Sequence, residues 1–73
     1  MPRKLRELRA DLLRAGFAVD HQTGSHQVWR HGLLPATRAV LAGRDGADAK
    51  PYQETQVRQI LRALREAEEA LES

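Results

Sequence analysis

No cysteine occurs among the 73 residues. Disulfide frameworks, thiolate zinc sites and cysteine nucleophiles are therefore excluded. Aromatic side chains are almost as scarce, since Phe17, Trp29 and Tyr52 make up 4% of the chain. No apolar run approaches the ~20 residues needed to span a membrane. Behind Pro2, Arg3 and Lys4 there is no apolar segment of the signal-peptide kind, and Glu7 and Asp11 weigh against a transit peptide. The expected location is the cytoplasm. At 8.2 kDa the chain has room for one small domain over residues 1–73. Multi-domain enzymes and dinucleotide folds are too large for it.

What is present is basic charge, unevenly placed. Residues 1–65 carry all twelve lysines and arginines against six carboxylates, a balance of +6. Glu66, Glu68, Glu69 and Glu72 then bring the chain to +2. A basic body with an acidic tail, and a pI of about 9.7, fits a nucleic-acid binder. An arginine-rich solvated surface explains the same numbers.

Leu5, Leu8, Leu12 and Ala15 recur at helical spacing and predict a helix over residues 4–15. Gly16 follows as the residue that ends it. Phe17 to Asp20 predicts a short strand, His21 to Gly24 a turn, and Ser25 to Arg30 a second strand. A weaker third strand is expected over residues 37–42, followed by a polar loop around Gly43 and Gly46. From about Thr55 to Leu71 a second helix holds Val57, Ile60, Leu61, Leu64, Ala67 and Leu71 on one face and Arg58, Arg62 and Arg65 on another. The order is α-β-β-β-α, an α+β fold in which two helices cover one face of a three-stranded sheet.

Strand alternation then sorts the second strand. His26, Val28 and Arg30 share one side; Ser25, Gln27, Trp29 and His31 share the other. With Trp29 inward, as the largest apolar group of the segment, His26 and Arg30 face outward on the uncovered side. An inward Val28 is the competing register.

Most chemical readings fail on geometry. Ser25 and His26 point to opposite sides of a strand, so they cannot pair as nucleophile and base. His26 and His31 lie roughly 16 Å apart on opposite faces and cannot share a metal. Asp45 and Asp48 lack the spacing of a calcium loop, and no glycine-rich phosphate loop is present. No metal or cofactor is expected. What remains is a histidine on an exposed basic sheet face. Histidine both takes and gives protons near neutrality, and RNA carries its own nucleophile in the 2′-hydroxyl. His26 as base, with Arg30 and Lys50 holding phosphate, would suffice for RNA cleavage; a surface histidine without a task is the plain alternative.

Gly16-Phe17 closing a helix, Gly24-Ser25-His26 opening a strand, and Lys50 ahead of a helix with Val57, Ile60 and Leu61 together resemble the HicA family. The resemblance covers residues 4–65; the acidic extension 66–73 lies beyond it. It implies a fold like that of double-stranded-RNA-binding domains and the role of toxin in a type II toxin–antitoxin system. It also implies mRNA cleavage without metal, with His26 as the catalytic histidine. The implied partners are mRNA and a HicB-type antitoxin, with operator DNA reached only through the antitoxin complex. Many members have a second histidine where this chain has Gln27, and a more lysine-rich approach to the second helix than Ala49-Lys50-Pro51-Tyr52. Gly24 and Ser25 are expected to form the turn at the site. A non-catalytic RNA-binding or regulatory module on the same fold is the alternative function. For Arg58, Arg62 and Arg65, i,i+4 pairing with Glu54, Glu66 and Glu69 explains the stripe without RNA.

Overall fold

The first helix owes its place to both of its ends. In the computed structural model, which describes residues 2–72, α1 spans Leu5–Arg14. The Lys4 N–H donates to the Glu7 carboxylate at 2.7 Å. The Leu5 and Arg6 N–H groups, which have no partner inside the helix, donate to the carbonyls of Ala47 and Asp45. At the far end the Gly16 N–H bonds to the Leu13 carbonyl and the Phe17 N–H to that of Leu12. This is the Schellman closure, and it turns Phe17 straight into the core.

β1 (Ala18–Thr23), β2 (His26–Arg30) and β3 (Ala39–Leu41) form an antiparallel sheet in the order β1-β2-β3. α2 follows over Pro51–Glu72. The order α-β-β-β-α and the three-stranded sheet are those expected. Several boundaries differ. β1 begins after Phe17 and runs on to Thr23, so only Gly24 and Ser25 separate it from β2. Gly24 has φ +58° and Ser25 does not have a positive φ, the pattern of a II′ hairpin turn with glycine at its first central position. A bulge between Val19 and His21 lets β1 use one more residue than its partner. β3 is three residues rather than six. α2 starts a turn earlier than expected because Pro51 suits a first helical position and the Gln53 side chain accepts the Lys50 N–H at 2.8 Å.

Trp29 is 2% exposed and lies among Leu5, Leu8, Leu12, Phe17, Ala39, Leu41, Val57, Ile60 and Leu64. The inward-Trp29 register is therefore the one the chain adopts. His26, Val28 and Arg30 occupy the face away from this core, with Val28 beside His21 on one side and Val40 on the other.

The two long edges of the sheet are treated differently. On β3, the Gln56 side-chain amide accepts the Val40 N–H at 2.9 Å and donates to the Val40 carbonyl at 3.1 Å. Gln53 similarly donates to the Ala42 carbonyl at 3.1 Å. On β1 all six residues are exposed.

Candidate functional site

His26 sits directly after the hairpin turn, opposite Thr23, and is exposed. Gly24 and Ser25 are the two central residues of that turn. Local sequence alone would leave such a hairpin tip loosely held. Here Arg9, projecting from α1, fastens it. Its Nη2 donates to the Ser25 carbonyl at 3.4 Å and to the Gly43 carbonyl at 2.7 Å. Its Nε donates to Gln27 Oε1 at 2.7 Å, and Nη1 pairs with Asp45 at 2.6 Å. The Arg9 side chain is only 12% exposed. One rigid guanidinium fork therefore joins the residue before His26, the residue after it, and the loop that leads to Lys50.

That loop is fixed from other directions too. Lys4 and Asp48 form an ion pair at 2.5 Å, and the Ala49 N–H donates to the Arg3 carbonyl at 2.7 Å. Gly43 has φ +123°, and a Cβ there would stand 2.5 Å from Leu5 Cδ1. Only glycine lets the chain turn this close to α1. Lys50 then caps the start of α2, its carbonyl accepting the Gln53 and Glu54 N–H groups, and the helix dipole there favours an anion. The register of β2 with β3, extended by one residue, sets Ala42 beside His26, and Gln53 ties Ala42 to the first turn of α2. His26 and Lys50 thus belong to the same end of the sheet. Lys50 is exposed.

Arg30 does not join them. It lies on the His26 face, but four residues along β2, or about 13 Å at the usual strand rise. There its Nη1 is 3.8 Å from Asp20 and its Nη2 donates to the Pro35 carbonyl at 3.3 Å. Gln27 accepts from Arg9 and donates to Gln22 at 3.1 Å. His31 is a packing residue. Its ring meets Phe17 edge-on at 5.0 Å and its Nδ1 accepts the Leu33 N–H at 3.0 Å. Among the described residues no group of three His, Asp or Glu side chains is placed to hold a metal ion.

The arginines of α2 also differ from the expectation. Among the described residues, Arg58 and Arg62 close no ion pair with Glu54 and Glu66. Exposed pairs of this type gain little over hydration, and here the side chains stay apart.

Arg9 and Gln53 are the site residues that sequence reasoning missed. Two of the groups Arg9 holds are backbone carbonyls, which leave no signature in a sequence. A hint for Gln53 was available in its place three residues after the start of a helix.

No curated protein and no solved structure matches the chain. The family model described as the HicA toxin of bacterial toxin–antitoxin systems matches residues 5–68, which takes in α1, the whole sheet and most of α2. No helix among the described residues is long and apolar enough to cross a membrane. With the helix–hairpin–strand–helix order and the glycine–serine–histidine turn held in one frame, the chain belongs to the HicA family, the toxins of toxin–antitoxin systems.

Proposed function

We propose that this toxin is an mRNA endoribonuclease in which His26 handles the protons and Lys50, at the start of α2, holds phosphate. The observation that carries this reading is the anchored position of His26. It is the exposed imidazole at the tip of a hairpin whose two flanking residues are both tied down by Arg9. Fixing a base costs entropy, and a scaffold that does so before substrate arrives favours proton transfer.

In the reaction, neutral His26 accepts the proton of a 2′-hydroxyl. The 2′-oxygen then bonds to the adjacent phosphorus while the bond from phosphorus to the 5′-oxygen breaks. The imidazolium returns its proton to that leaving oxygen, so protons and charge balance across the step. The Lys50 ammonium group stabilises the charge that builds on the phosphoryl oxygens. Arg30, held by Asp20 at the other end of the strand, serves RNA further along the face. The partner is a HicB-type antitoxin, and covering the His26 face is the simplest way for it to inhibit. The basic body supplies charge complementary to an acidic protein.

His26→Ala is the test. Because the side chain is exposed, the variant should keep the wild-type melting temperature while losing growth arrest and RNA cleavage. A folded His26→Ala protein that degrades mRNA as wild type does would remove the assignment. RNA binding without cleavage by the wild type would favour the non-catalytic module instead.

A further inference from the structure

α2 is longer than the domain it packs on. Its 22 residues extend about 33 Å at 1.5 Å per residue, yet its last buried side chain is Leu64. About two turns project beyond that point. The face that is apolar in the core continues along them, through half-buried Ala67 to Leu71, which is 70% exposed. Beside the projection lies a cleft of about 460 Å³ between α1 and α2. Ala15, Leu61 and Leu64 line it together with Arg65, Glu68 and the Arg14–Asp11 ion pair.

The two features complement each other in charge as well as in polarity. The stretch of α2 beside the cleft carries Arg58, Arg62 and Arg65. The projecting end carries Glu66, Glu68 and Glu72. Leu61, Arg65, Glu68 and Glu72 follow one another at spacings of four, three and four residues, so they share one stripe of the helix, and Leu71 borders it on the side of Leu64. Laid antiparallel against a copy of itself and centred near Glu66, this stripe sets Arg65 against Glu68, with Leu71 meeting Leu61 along its border. A twofold axis makes each contact occur twice.

We infer that α2 mediates a homodimer, in which each projecting end fills the α1–α2 cleft of the other copy. The basic and acidic halves of the helix fix the antiparallel direction, because a parallel pairing would put like charges side by side. This inference does not depend on the ribonuclease reading: the dimer surface is built from other residues than His26, Arg9 and Lys50.

The measurement is the solution mass of the purified toxin across a wide range of concentration. It should rise from 8.2 kDa toward twice that value. Leu71→Lys should weaken the dimer by at least about tenfold, equivalent to ~1.4 kcal/mol, while leaving the melting temperature of the dilute monomer unchanged, since Leu71 is exposed. Arg65→Glu and Glu68→Arg should each weaken it, and the two together should restore it. A mass of 8.2 kDa at every concentration would overturn the proposal. So would a dimer indifferent to Leu71→Lys, or a monomer that engages the antitoxin through Leu71.

Discussion

Arg9 shows how much one side chain can decide. Its guanidinium has donors in a fixed plane, and four acceptors from three separate parts of the chain converge on it. A lysine at that position keeps the charge but cannot span the four. Arg9→Lys is therefore expected to lower kcat for RNA cleavage, with KM much less affected, because Lys50 and the α2 N-terminus remain. Arg9→Ala should additionally cost about 1 kcal/mol of stability, the usual net worth of hydrogen bonds to acceptors that are part-buried or exposed. Steady-state kinetics on a short RNA, beside thermal melts, separate the two effects. Equal loss in kcat and KM for Arg9→Lys would argue that Arg9 contacts RNA rather than positioning the turn. Gln27 belongs to the same unit. Its side-chain amide both accepts from Arg9 and donates to Gln22, which makes it part of the clamp.

At the scale of the elements, β2 carries both the core and the site, one on each face. Trp29→Ala should cost about 3–5 kcal/mol by opening a cavity beneath α1, a large share of the stability of so small a domain. Trp29→Phe should be much milder. The indole Nε1 is buried and lacks a hydrogen-bond partner among the described residues, so phenylalanine forfeits volume but no bond. Urea titrations of the two variants would show the contrast, and equal losses would mean that the indole nitrogen is paired. This double duty also explains what was legible beforehand. The leucine spacing in α1, and the alternation that put Trp29 in and His26 out, are written in neighbouring residues. The bulge at Asp20 and the short β3 arise from pairing between strands. The early start of α2 depends on Gln53 reaching back to Lys50, and the isolation of Arg30 from His26 on the partner Asp20 provides. None of these has a local periodicity to announce it. For the site, the position of His26 was readable, whereas the clamp behind it was not.

Across the whole molecule, charge decides where a polyanion can lie. Lys50 and the α2 stripe are exposed, while Arg3 is bound to Asp11 at 2.6 Å. That hydrogen bond with Asp11 holds the Arg3 pKa above its ordinary value. Binding of RNA should weaken steeply with salt as counterions are released. If Lys50 contacts one phosphate, Lys50→Ala should flatten the salt slope by about one unit. Arg30→Ala should flatten it less, because Asp20 competes for the guanidinium. Filter binding at several salt concentrations reads both. An unchanged slope in Lys50→Ala would place the RNA on Arg58, Arg62 and Arg65 instead.

The amide of Gln56 does for β3 what a neighbouring strand would do, since it gives and takes one hydrogen bond at Val40 as a peptide group does. The sheet is therefore sealed on that flank and open on the other. Any extended peptide that lengthened it would have to run alongside β1, and the end of that track is the turn that presents His26. A single glutamine on the opposite flank of the sheet thus makes its growth one-directional, toward the edge whose turn carries His26.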